Sequence, residues 1–228
     1  MALTPVQAIK LYLHDGSRTD IVAVSSPRFP VSTPDAFIEL VLAQGAGLAA
    51  AWKLPRFFAH HREALRALPV LAPTLAAPAS YATIPYYAIH AFEWIDAGGA
   101  GRCVRYQLWP EVTQRKPAPW QVRRRAADYL QQELVARLRR GPIRFTLQLQ
   151  LAGEGDPTND PSAAWPRQRQ RVTAGTLEIT ELEVQRETGD DVLVFDPTRI
   201  TAGIELSDDP VLQFRRAVYS ESVARRTA

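Results

Sequence analysis

Apolar residues make up 46% and charged residues 22% of the 228 positions, the balance of a globular domain and not of a disordered chain. The 27 Lys and Arg against 24 Asp and Glu leave a net charge of +3, too small an excess to argue for nucleic acid. The single cysteine, Cys103, excludes an internal disulfide and a cysteine-rich zinc site, and no apolar run reaches the roughly 18 residues of a membrane-crossing helix.

The N-terminus lacks a basic head followed by a continuous apolar stretch, so no secretory signal is read there and a cytoplasmic location is expected. Residues 7–13 (QAIKLYL) alternate polar and apolar, the period of a strand with one buried face. The turn at 14–17 leads to a second strand at 19–24, which predicts a hairpin. Thr33 and Pro34 suit an N-cap and a first helical position, opening a helix to about residue 50 with Phe37, Leu40 and Val41 on one face. A short helix is expected over 57–67, then an Ala/Pro connection to residue 80 without a period.

Strong strands follow at 86–95 (YYAIHAFEWI) and 102–109 (RCVRYQLW), joined by the glycine-rich turn 97–101. Residues 120–140 read as one long helix with Tyr129, Leu130, Leu134 and Leu138 as its apolar stripe, stopped by Gly141-Pro142. Residues 143–151 alternate throughout. A polar loop is expected over 152–171, a strand over 174–184, and an extended stretch without a period over 192–206. A final helix is predicted over 208–226, with Ser207 as N-cap and Asp208 and Asp209 in the first turn. About six strands and four helices without a βαβ rhythm make the fold class α+β.

Familiar catalytic patterns are missing: there is no Walker loop, GxGxxG, nucleophile elbow or HExxH. His60 and His61 are adjacent, about 100° apart on a helix, and suit the surface or packing better than one metal. Cys103 reads as a small apolar strand residue, and His90 as a hydrogen-bonded core histidine. The arginines at 123–125, 137, 139 and 140 read as a solvated helix face.

The last helix differs. Arg215, Tyr219, Ser222 and Arg226 are spaced four, three and four apart, which puts all four on one face. A guanidinium one turn before a tyrosine favours the charged phenolate, a hard ligand suited to ferric iron. Amphipathic C-terminal helices often carry Arg and Tyr for structural reasons alone, so the spacing by itself favours the structural reading and leaves the iron-ligand reading open.

The segment Phe195-Asp196-Pro197, then residues 203–210 (GIELSDDP), then Arg215-xxx-Tyr219 with Arg226 seven residues on, resembles the proximal segment of haem catalases. The resemblance is nearest to the small catalase-related peroxidases. It extends in the right order through 8–40, 79–110 and 129–166. It implies b-type haem with Tyr219 as the iron ligand, Arg215 as its electrostatic support and Arg226 as a propionate partner. Phe37 is implied to pack on the macrocycle, and Phe195 to help line the proximal side. The distal asparagine of larger catalases falls at Val24, and a strand histidine beneath the haem at Gln107.

The family's distal histidine precedes the segment matching Ala8, and none of His14, His60, His61 or His90 lies at its position. A single N-terminally truncated domain over 1–228 is therefore expected, with no distal catalytic residue identified. It would supply about six of the roughly eight strands of a catalase-like antiparallel β-barrel, with helical excursions and a C-terminal haem-ligand helix. The implied function is a hydroperoxidase decomposing hydrogen peroxide or organic peroxides with an unknown reductant. The alternative is a catalytically impaired haem-binding relic or carrier. A third reading, from the alternating strands alone, is a lipocalin-like barrel holding an apolar ligand. An open barrel edge makes homo-oligomerisation an expectation. No nucleic-acid or membrane partner is expected.

Overall fold

The computed structural model describes residues 4–114, 116–183 and 193–227. Strands β1 (Val6–Tyr12) and β2 (Arg18–Val24) pair antiparallel, from Val6 opposite Val24 to Tyr12 opposite Arg18. Their turn needs Gly16 at φ 81°, where a side chain would be strained, and Asp15 caps it by accepting from the Ser17 N–H and hydroxyl. Asp20 on β2 is buried. It receives Lys10 Nζ at 3.3 Å and the Asp196 N–H at 2.8 Å, tethering the chain after residue 193 to the hairpin.

The predicted strand 86–95 is real but interrupted. Its pieces, β3 (Tyr86–Tyr87) and β4 (Phe92–Ile95), both pair with β5 (Gly101–Pro110). Between them residues 88–91 are buried and leave the ladder, although the Ala88 N–H still donates to the Tyr106 carbonyl at 2.9 Å. β2 continues the sheet beyond β3, and β8 (Ile204–Leu206) continues it beyond β4. On the other side of β5 come β6 (Ile143–Leu151) and β7 (Arg171–Ile179).

The described chain thus has one antiparallel sheet of eight strands where about six were expected. One break makes two strands of a single periodic run, and β8 is too short to show a period. β7 also lies earlier than the predicted 174–184. Its partner β6 decides this, because Arg171 to Ile179 are the residues that Gln150 to Ile143 can pair.

Strand β5 is buried on both sides. Val104, Tyr106 and Leu108 join the main core with Phe145, Leu149 and Leu212, while Arg105 and Gln107 are buried on the opposite side, as the two-residue repeat of a strand requires.

Helix α1 (Pro34–Gln44) starts as predicted, with the Thr33 hydroxyl accepting from the Ala36 N–H, but ends at Gly45. The short helix expected over 57–67 is instead a pair, α2 (Ala50–His60) and α3 (Arg62–Leu71), meeting at His61, whose φ −109° and ψ 80° break the helix. The alanines of 49–51 suit the earlier start, since alanine has the highest helix propensity. Phe57 of α2 is fully buried in a second core with Phe29, Val31, Leu40 and Ala64.

The long helix predicted over 120–140 is broken into α4 (Pro119–Arg123) and α5 (Tyr129–Leu138). Only α5 lays apolar side chains, Leu134 and Leu138, on the sheet core, and helices persist where a face is buried. Arg124 and Arg125 between the two lie over the rings of Trp120 and Tyr129. The last helix, α6 (Pro210–Thr227), agrees with its prediction within two residues.

Candidate functional site

The site is built on α6. Its N-terminus is capped by Asp209, not by the predicted Ser207. Asp209 Oδ1 accepts from the Val211 and Leu212 N–H groups at 2.8 and 3.2 Å, whereas the buried Ser207 hydroxyl has no hydrogen-bond partner among the described residues. The reason is reach: with Pro210 at the first helical position, the preceding residue is the one whose side chain faces the free amides.

The other carboxylate oxygen of Asp209 takes a 2.6 Å hydrogen bond from His90 Nδ1, in the break between β3 and β4. Both side chains are buried, 2% and 1% exposed, so the pair welds the sheet to the helix start. Burial pushes the His90 imidazole below the usual histidine range. The Asp209 hydrogen bond opposes this, and the charges of Arg215 and Arg105 reinforce it. His90 Nε2 is buried without a hydrogen-bond partner among the described residues. The sequence showed a core histidine and a first-turn acid but not their union, since 119 residues separate them.

Along α6, Val211 and Leu212 are buried and Arg215, Tyr219 and Val223 are half-buried. The residues from 216 to 218 and from 220 to 222 are exposed. Of the predicted stripe, Arg215 and Tyr219 thus lie one turn apart on the face turned toward the protein, whereas Ser222 is exposed and Val223 continues that face. The side chain of Arg226 lies outside the described residues.

Phe37 is half-buried on α1 and packs on Phe29 with centroids 4.9 Å apart and the rings tilted by 40°. It packs against the second core, to which Val211 of α6 also belongs, so the first turn of the tyrosine helix and Phe37 share one apolar cluster. Phe195 is half-buried at the hairpin, with Lys10 Nζ 5.6 Å over its ring. Val24 pairs with Tyr87 and packs on the second core. Gln107 is buried and donates to Gln150 Oε1 at 2.8 Å while accepting from Trp109 Nε1. His14 is exposed and His60 bonds back to the Arg56 carbonyl. Among the described residues no group of three or more His, Cys, Asp or Glu side chains could hold a metal ion.

A family model described as Catalase matches residues 6–228. The chain belongs to the catalase family. It is 46% identical over 220 residues to a catalase-related peroxidase of Mycolicibacterium paratuberculosis, covering 96% of this chain and 70% of that protein. It is 31% identical over 211 residues to a catalase-related peroxidase of Synechococcus elongatus, covering 91% of this chain and 62% of that one. Its fold is similar to that of a fungal catalase, with TM-score 0.85 and 22% identity over 97% of this chain and 48% of the other. Catalase A from Saccharomyces cerevisiae gives the same TM-score at 20% identity over 97% and 49%. The chain therefore spans about half the length of these solved catalases. The family fold agrees with the α+β class read from the sequence and with the catalase-like antiparallel barrel sheet that the resemblance implied.

The residues present fit a haem. A half-buried phenol on an otherwise exposed stretch of helix offers one hard oxygen donor, the guanidinium one turn before it offers a countercharge, and Phe29 and Phe37 lie in the apolar cluster that the first turn of α6 joins.

Proposed function

We propose that this chain is a haem-dependent hydroperoxidase acting on hydrogen peroxide or organic peroxides. The observation that carries the reading is the α6 stripe, Arg215 and Tyr219 on the inward face of a helix whose start is locked to the sheet by His90 and Asp209. The peroxidase relatives support the reaction class. Tyr219 would hold the iron through its phenolate oxygen, and Arg215 would balance that charge from the same face. Phe37 would pack on the macrocycle. Arg226 would pair with a propionate, and Phe195 would line the proximal side. With Cys103 the only cysteine, paired with Glu93 inside the sheet, the haem would be held without thioether links, as b-type haem is. When bound, the haem supplies the redox chemistry that breaks the O–O bond; an external reductant supplies the electrons.

Each residue's share is positional. His90 accepts no second proton readily, so the His90–Asp209 link holds its hydrogen bond without charging the imidazole. Asp209 orients α6 through its cap, and through α6 the Tyr219 oxygen.

A second reading, a haem-binding carrier with little turnover, is favoured by the state of the four histidines. Two are at the surface, His61 bonds to carboxylates, and His90 is engaged by Asp209. The ring nitrogens of His61 and Nδ1 of His90 are already engaged, and a free acid–base group is worth about 10²–10⁴-fold in rate.

Titrating the purified protein with haemin beside Tyr219→Phe tests the site. A saturable one-to-one Soret shift with ferric-tyrosinate character, lost in the variant, is expected. The same shift in both proteins rejects Tyr219 as the ligand. Peroxide turnover no faster than that of free haemin would then select the carrier.

A further inference from the structure

We propose that Arg105 is the positioning residue that fixes the aromatic wall of the haem pocket, acting through the proline-bearing loop 153–166. The inference rests on the haem reading above.

Arg105 sits in the middle of β5, paired with Gln150 of β6 on one side and facing the 88–91 break on the other, and only 5% of it is exposed. A buried guanidinium is costly unless its donors are satisfied. Here the two Nη groups are spent on one loop, while Nε is buried without a hydrogen-bond partner among the described residues. Nη1 donates to the Ala163 carbonyl at 2.6 Å, and Nη2 donates to the carbonyls of Asp160 at 2.9 Å and Pro157 at 3.4 Å. The guanidinium also lies 4.5 Å over the ring of Trp165, whose own N–H donates to Pro157 at 2.8 Å. Burial pushes the Arg105 guanidinium down to about 10, against the pull of Asp209, Asp160 and Asp156, so it stays charged at neutral pH. The Asp160 carboxylate turns back onto Ser162, which leaves the loop's main-chain oxygens as the arginine's partners.

What the loop holds gives this clamp a function. Pro161, between two of the clamped carbonyls, is fully buried, and its oxygen accepts the Phe29 N–H at 2.9 Å. Phe29 in turn packs on Phe37. Rigid strand, guanidinium, loop carbonyls, Phe29 and Phe37 form one contact chain. No lysine matches it, because a single ammonium lacks the planar fork and the ring-stacking face.

The test compares four variants with the wild type by hydrogen exchange of loop 153–166 and Phe29 without haemin, and by haemin affinity. Arg105→Met should speed exchange and weaken haemin about tenfold, the scale of one lost charge-assisted hydrogen bond, and Arg105→Lys should fall between it and the wild type. Phe29→Leu should weaken haemin while leaving the loop protected. Leu108→Ala, a core truncation on the same strand, should lower thermal stability and leave haemin affinity unchanged, which separates positioning from general destabilisation. Unchanged loop exchange in both Arg105 variants would overturn the clamp. A released loop with wild-type haemin affinity would overturn its role in the pocket. Equal haemin binding by wild type and Tyr219→Phe would instead sink the haem site, with the exchange data still reporting the clamp.

Discussion

His90 and His61 each face a carboxylate at hydrogen-bond distance, yet their surroundings set them to opposite tasks. His90 meets Asp209 at 2.6 Å with both side chains almost fully buried, joining the sheet to α6. His61 meets Glu39 at 2.9 Å and Glu63 at 3.3 Å at the α2–α3 break, with the glutamates 54% and 37% exposed. Burial leads at His90 and holds its basicity down; the Glu39 hydrogen bond leads at His61 and raises it. The same pairing of imidazole with carboxylate is a structural weld where water is excluded and a weak surface tether where it is not.

The largest effect expected from breaking this comparison is at Phe57. This fully buried ring lies beneath His61 with centroids 4.4 Å apart, and Phe57→Ala should cost roughly 3–5 kcal/mol in urea unfolding. A loss no larger than that of His61→Gln would mean that the carboxylate tether, not the apolar core, holds the helical shoulder. Next comes Asp209→Ala, which leaves the buried, neutral His90 N–H without its acceptor, a cost of roughly 1–3 kcal/mol, and removes the helix cap, worth about 1 kcal/mol more. Asp209→Asn should recover part by keeping the cap.

The pH arms have opposite signs. The depressed His90 takes up a proton in the unfolded chain before the folded one, so stability should fall as pH drops below the ordinary histidine value of about 6.5. That slope should disappear in His90→Gln. The raised His61 contributes stability that is fully present below the same pH and is lost as pH rises through its folded value. His61→Gln should therefore matter least. A loss within about 1 kcal/mol, confined to the acid side and weakened by salt, is expected.

Legibility followed the same division. The inward stripe of α6 could be read from spacing, because i, i+4 neighbours share a face in any helix. The partners that give this stripe its setting could not: Asp209 finds His90 across 119 positions, and Arg105 finds carbonyls more than fifty residues away. Carbonyl acceptors leave no mark in a sequence, since every residue carries one. Arg105 showed only as one member of an alternating strand.

Period and punctuation sufficed for β1, β2, β5, β6 and α6, where the rule acts between residues two to four apart and one face is clearly buried. They failed at 86–95, 120–140 and 174–184. There, what decides is whether a partner exists: a strand to pair with, or a core to bury a stripe. Burial and pairing are properties of the assembled chain. The strand break that releases His90, the end of β7 and the capping of α6 by Asp209 therefore emerge only when distant segments exclude water together.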